Sequence, residues 1–230
     1  MAYCTVVTGA CSGIGAAVAD ELRARGESVF AVDLKGGDIA LDLLAPDSVL
    51  KLGAAIKERY DGVKGFVHCA GIDVVAPLGL IKPDCMHQLF GLHAGFVMAF
   101  LGWLQKKGNH APSTSCVCIS SLSAHEGAKM HVAYAAAKGA VEGLLKPAAS
   151  ELVSKGIRLN AVILGVVETS MSRQWLDKLT PEQHRRILDG YPLGLGKPES
   201  VAKIIAFMLG EEASWVTGQT LVCDGGHSIS

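Results

Sequence analysis

The sequence predicts an α/β fold of the doubly wound kind: one domain, a parallel sheet of about seven strands, and helices on both faces. Three observations carry that expectation. Short β-branched runs alternate with helical patterns along the chain. A glycine cluster, Gly9-Ala-Cys-Ser-Gly-Ile-Gly15, directly follows the first apolar run. Half of the 230 residues are hydrophobic and only 19% are charged, as strands covered on both faces require.

Tyr3-Cys-Thr-Val-Val-Thr8 reads as the first strand, 3–8. Beyond the glycines, Ile14, Val18 and Leu22 recur at a spacing of four, predicting a helix over 13–25 that stops near Gly26. Strand, glycine loop and helix in that order suit a pyrophosphate. Gly9, Gly13 and Gly15 have no Cβ, so backbone N–H groups approach the phosphates closely, and the helix N-terminus around Ser12 and Ile14 adds partial positive charge. The spacing is G-x-x-x-G-x-G rather than G-x-G-x-x-G.

Ser28-Val-Phe-Ala-Val-Asp33 gives the second strand, 28–32, closed by an acid. A carboxylate about twenty residues past such a loop bonds the ribose hydroxyls of NAD and repels the 2′-phosphate of NADP. No Arg or Lys lies in the loop, although Lys35 is close. NAD is therefore the expected cofactor, with Asp33 and Leu34 beside its ribose, and NADP is the less favoured one. Further strands are expected over 38–41, 65–69, 115–120, 157–163 and 219–223, with helices over 46–60, 83–107, 131–154 and 199–210. Residues 170–196 break the alternation. They read as a mobile substrate lid with one or two short helices, a rigid helical insertion being the other reading. Arg173, Lys178, Arg185 and Arg186 in that segment either meet an anionic substrate or form a solvated face.

The chemistry lies at Ser121, Tyr134 and Lys138. The strand Ser115-Cys-Val-Cys-Ile-Ser-Ser121 ends in two hydroxyls. Tyr134 and Lys138 are four apart in an alanine-rich helix, so they share a face. A phenol titrates near ~10, and bringing it to ~7 asks for about 4 kcal/mol of preferential phenolate stabilisation. One positive charge at roughly 4 Å and an effective dielectric near 20 supplies about that much. Lys138 is expected to lower the Tyr134 pKa by this route. The trio forms a proton-transfer site for a hydride carrier.

Together these motifs resemble the short-chain dehydrogenase/reductase family, single-domain subfamily, over about residues 3–226. The resemblance implies a Rossmann-type sheet and an NAD(P)-dependent oxidoreductase that interconverts an alcohol and a ketone. Thr8 to Gly15 matches the family's T-G-x-x-x-G-x-G loop and Tyr134 to Lys138 its Y-x-x-x-K. Asp42-Leu43 resembles the pair that holds the adenine. His68-Cys69-Ala70-Gly71 stands where the family usually has Asn-Asn-Ala-Gly, so both asparagines are replaced. Gly165, Val167 and Thr169 match the segment whose backbone bonds the nicotinamide carboxamide, although Leu164 replaces its proline. In the family, an asparagine on the helix before the serine is a fourth catalytic residue. His93 takes that place, or Leu92 if the later glycine is the anchor. The family commonly pairs the helices matching 83–107 and 131–154 across a two-fold axis, which implies a homodimer or homotetramer. Burial within one subunit explains the same small residues.

Composition bounds the alternatives. Net charge is −1, with no basic stripe for nucleic acid. No apolar run reaches the ~18 residues of a membrane span, and the first strand leaves no room for a signal peptide, so a cytoplasmic protein is expected. The seven cysteines lack C-x-x-C spacing and the eight histidines lack H-x-x-x-H spacing, so no metal site is expected. Cys4, Cys116, Cys118 and Cys223 read as small buried hydrophobes. Two other functions are compatible with the motifs: a dinucleotide sensor without turnover, suggested by His68, Cys69 and His93, and a sugar epimerase or dehydratase. The second is disfavoured by the glycine spacing and by the lack of a larger C-terminal domain. The substrate, a small alcohol or carbonyl compound, is not legible in the motifs.

Overall fold

The computed structural model describes residues 2–230. Its strands are β1 Cys4–Thr8, β2 Val29–Asp33, β3 Ile39–Ala40, β4 Val63–His68, β5 His110–Ser121, β6 Ile157–Leu164 and β7 Thr220–Cys223. All pair in parallel in one sheet, ordered β3-β2-β1-β4-β5-β6-β7. The order reverses between β1 and β4, so the loops leaving those two strands diverge and open a crevice at their C-terminal ends.

The helices are α1 Gly13–Ala24, α2 Ser48–Lys57, α3 Pro83–Phe90, α4 Phe96–Leu104, α5 Val132–Leu152, α6 Ser170–Leu176, α7 Pro181–Asp189 and α8 Pro198–Leu209. Strand side chains alternate between two cores. Cys4, Val6, Phe30, Val32, Cys116 and Cys118 pack with Leu52 and Ile56 of α2, Phe96 and Phe100 of α4 and Leu145 of α5. Val7, Ala31, Val67, Val117 and Val162 pack with Val18 and Leu22 of α1 and Val201 and Ile205 of α8. Cys4, Cys116 and Cys118 are thus buried thiols within an apolar layer, as their strand positions predict, and Cys223 is half-buried.

Two elements depart from the sequence expectation. β5 begins at His110, not 115, because His110 pairs with Val63 across the sheet. The helix expected over 83–107 is interrupted by a π-turn at Gly91–Gly95, between α3 and α4, and stops at Leu104. The whole stretch Pro83–Leu104 is also long and apolar enough to cross a bilayer by length and composition, so a span was not excluded by composition. Histidines and glycines keep its apolar runs short while its average stays high. Phe96, Val97, Phe100, Leu101 and Leu104 spend that apolar character in the core of this domain.

Residues 170–196 hold two short helices, each opened by a capping box: Thr169 with Ser172 for α6, and Thr180 with Gln183 for α7. Gly196 bridges back to Val167, closing the excursion.

Candidate active site

The glycine loop leaves β1 and enters α1 under tight backbone constraint. Gly9 has φ +66°, and a Cβ there would sit 2.8 Å from the Ala70 nitrogen in the loop after β4. A Cβ on Gly15 would collide with the Gly9 carbonyl oxygen. Glycine is required at both places by close approach of backbone. Ser12 precedes α1 without a side-chain hydrogen bond to the first turn, which leaves first-turn N–H groups for a ligand. Asp33, at the end of β2, accepts the Cys11 N–H on Oδ2 at 2.9 Å and the Lys35 N–H on Oδ1 at 3.4 Å. Asp42 accepts the Leu44 N–H at 2.9 Å, a local turn that shapes the far wall.

A cleft of about 480 Å³ runs between these loops. Gly9, Ser12, Gly13, Ile14, Gly15, Asp33, Leu34, Asp42, Leu43, Cys69, Ala70, Gly71, Tyr134, Lys138 and Thr169 line it. A glycine cradle with free helix N–H groups at one end and a carboxylate beyond it fits a dinucleotide's pyrophosphate and ribose. Gly165 and Val167 lie elsewhere: both face a second, smaller cavity of about 170 Å³. Tyr134, Ile119, Thr169 and Met171 border both spaces.

His68 shows how the missing asparagines are replaced. Its Nδ1 lies 2.9 Å from Thr8 Oγ1 and its Nε2 lies 3.0 Å from the Leu92 carbonyl. The Thr8 hydroxyl oxygen also accepts the Ala70 N–H at 3.3 Å. A neutral ring that donates from Nε2 and accepts on Nδ1 satisfies both contacts. Burial, with the Lys138 charge second, pushes His68 down to about 3, so that neutral form holds at any physiological pH. The ring stacks on Phe96 at 5.6 Å. β1, β4 and the π-turn are thereby tied together beneath the cleft.

Ser121, Tyr134 and Lys138 come together as the helix spacing predicts. Lys138 Nζ lies 5.6 Å from the centre of the Tyr134 ring and donates to the Ile119 carbonyl at 2.9 Å. Ser121 closes β5, accepts the Ser123 N–H at 3.2 Å, donates to Ser123 Oγ at 3.2 Å and lines the smaller cavity beside Tyr134. The electrostatics differ from the sequence expectation. Tyr134 is held well above its ordinary value, by burial first and by the Asp73 carboxylate second, while the Ser121 hydroxyl works the other way. Burial also pulls Lys138 down to about 8. Desolvation of the buried phenolate outweighs what the nearby cation supplies. Lys138 alone does not bring the phenol near neutrality.

His93 sits in the π-turn, fully buried, its ring edge-on to Tyr134 with centres 5.7 Å apart. Nε2 lies 2.9 Å from the Ile72 carbonyl, while Nδ1 is buried with no partner. Burial, then the Lys138 charge, holds its pKa far below the usual histidine range. Leu92, the alternative residue for the position, offers its carbonyl to His68 instead.

Sequence reasoning missed the polar lining of the smaller cavity: Asp73, Glu126 and His131. Asp73 follows Ala70-Gly71 by two residues in the loop that leaves β4. An acid where strand ends converge was the available signal. Arg173, Lys178, Arg185 and Arg186 do not line that cavity. Arg186 pairs with Glu182 at 2.6 Å on an exposed face, as the solvated-face reading expects.

A family model described as "Enoyl-(Acyl carrier protein) reductase" matches residues 9–228. The chain is 30% identical over 243 residues to the uncharacterized oxidoreductase YmfI of Bacillus subtilis, covering 96% of this chain and 97% of that protein. It is 29% identical over 242 residues to the 3-oxoacyl-[acyl-carrier-protein] reductase FabG of Thermotoga maritima, covering 97% of each. The solved structure of the 3-alpha-hydroxysteroid dehydrogenase from Pseudomonas sp. B-0831, complexed with NADH, superposes with a TM-score of 0.80. Its sequence is 28% identical, with 96% of this chain and 95% of that one covered.

Proposed function

The chain belongs to the short-chain dehydrogenase/reductase family, whose members are oxidoreductases of alcohols and ketones, and on that premise we propose that it interconverts a secondary alcohol and a ketone, with Tyr134 as the acid and base. The observation that supports this most is placement. Tyr134 borders both the dinucleotide-sized cleft and the smaller cavity, with Ser121 on one side and the Lys138 ammonium over its ring. When bound in the cleft, the nicotinamide supplies or receives the hydride and, in its oxidised form, adds positive charge.

The chain's own residues then act as follows. Ser121 and Tyr134 hydrogen-bond the substrate oxygen and hold the reacting carbon toward the cleft. In reduction the Tyr134 phenol donates its proton to the forming alkoxide. In oxidation the phenolate takes that proton from the alcohol. Lys138 stabilises the phenolate and presents its remaining N–H donors to the cofactor ribose. His93 fixes the Ile72 carbonyl beside the site and keeps one ring nitrogen as a proton acceptor. Residues 170–196 serve as the lid over the smaller cavity, which Met171, Trp175 and Tyr191 line.

Asp33 favours NAD over NADP, because its carboxylate, held by two backbone N–H groups, meets a 2′-phosphate with like charge. Free thiols at all seven cysteines fit a reducing cytoplasm. Exposed Phe90, Met98, Val132 and Val153 on α3, α4, α5 and the turn after α5 fit a homodimer or homotetramer.

Tyr134→Phe tests the assignment. NADH- and NADPH-linked turnover is measured over a panel of ketones, alongside fluorescence titration of NADH. We expect turnover to fall ~10²–10⁴-fold in the variant with NADH binding retained, and wild-type kcat/KM to favour NADH. Undiminished turnover removes Tyr134 from the role. A wild-type preference for NADPH overturns the Asp33 reading. Binding without any wild-type turnover points to the dinucleotide sensor.

A further inference from the structure

Resting on the alcohol–ketone reading above, we propose that the substrate is small, neutral or cationic, and carries a hydroxyl or ammonium beside its reacting carbon, and that Asp73 binds this neighbouring donor. Asp73 Oδ1 is buried and has no hydrogen-bond partner. The side chain is only 14% exposed, and its residue lines the smaller cavity together with Ser121 and Tyr134. A buried carboxylate oxygen without a donor is costly, and a bound ligand bearing an O–H or N–H repairs it. The other oxygen, Oδ2, faces His131 Nε2 at 3.8 Å; Oδ1 has almost no accessible surface, so it meets a ligand on a turn of the carboxylate about its Cβ–Cγ bond.

The surroundings restrict the ligand further. Among the described residues, no Lys or Arg lines this cavity. Its second carboxylate, Glu126, is taken by His227 at 3.1 Å. An anionic substrate therefore meets two carboxylates and no fixed cationic side chain of Lys or Arg. The volume of about 170 Å³ lies below the roughly 300–1,000 Å³ of pockets that enclose drug-sized ligands. Asp73, Ser121 and Tyr134 line this one small cavity together, which holds the carboxylate near the reacting centre. The donor it takes thus belongs to the substrate atom next to the carbonyl carbon.

A matched set of ketones tests this: hydroxyacetone, aminoacetone, 2-butanone and acetoacetate, which differ only in the group next to the carbonyl carbon's methylene. In the wild type with NADH, kcat/KM for hydroxyacetone and aminoacetone should exceed that for 2-butanone roughly 10- to 100-fold, with acetoacetate last. Asp73→Ala should bring the hydroxyacetone to 2-butanone ratio to within about threefold of one. Asp73→Asn should keep part of the hydroxyl preference and lose the ammonium preference. A wild-type ratio near one, or a ratio that survives Asp73→Ala in a variant still binding NADH, overturns the proposal. Calorimetric binding of 1,2-propanediol and 2-butanol to the wild-type protein with NADH separates the two readings. If 2-butanone is reduced as well as hydroxyacetone, the redox reading stands and the Asp73 assignment falls. If no ketone is reduced while 1,2-propanediol binds at least about tenfold tighter through Asp73, the Asp73 assignment stands and the redox reading falls.

Discussion

At the scale of the residue, Lys138 is a charge held in the site against a desolvation cost. Its ammonium is buried, and its pKa is pulled from 10.5 to about 8. For a lysine shifted downward, the unfolded chain binds the proton more tightly than the native one. The cost is full below about pH 8 and is relieved as pH rises from about 8 toward 10.5. Lys138→Met should therefore raise Tm at neutral pH, by an amount corresponding to at most about 3 kcal/mol, while turnover collapses. The gain should shrink above about pH 8 and vanish near 10.5. A variant destabilised at every pH would show that the bond to the Ile119 carbonyl outweighs the desolvation. The i, i+4 spacing made the Tyr134–Lys138 contact legible in the sequence. It did not make the Tyr134 pKa legible, because that depends on burial and on Asp73, which arrives from a strand end about sixty residues earlier.

At the scale of the element, all seven strands and the five long helical stretches were readable, because strands covered on both faces show as short apolar β-branched runs and the helices between them keep a period of 3.6. What escaped was set by tertiary partners. His110-Ala-Pro-Ser-Thr has no strand pattern, and it joins β5 through its register with Val63. The π-turn at Gly91–Gly95 exists where His68 draws in the Leu92 carbonyl and His93 bonds the Ile72 carbonyl. A π-bulge inside a helix commonly marks a functional position. The turn also explains Gly71, since a Cβ there would run into the His93 ring. Gly71→Ala should cost about 1–3 kcal/mol in chemical denaturation. Adding His93→Asn, which removes part of that ring, should recover most of it, whereas independent sites would give losses that simply add.

At the scale of the whole molecule, the sheet's reversal between β1 and β4 puts the cleft at one edge and the smaller cavity beside it, with Tyr134 at their boundary. The placement of the glycine loop, Asp33 and the Ser121–Tyr134–Lys138 trio around the cleft was legible from spacing alone, whereas the cavity lining drawn from 73, 126 and 131 was not, since it unites two separate loops. Apolar side chains on α3, α4 and α5 remain exposed in the single chain. Sedimentation at micromolar concentration should give a dimer or tetramer, and a monomer would mean those faces serve another purpose. The central claim is that a buried phenol, held protonated by its surroundings, trades the proton with the substrate. The most direct measurement is the pair of kcat profiles for ketone reduction and alcohol oxidation from about pH 6 to about pH 10. A phenol held high leaves reduction level across neutral pH and makes oxidation climb with pH. An oxidation profile flat from about pH 6 to about pH 9, or one left unchanged by Tyr134→Phe, would contradict the account.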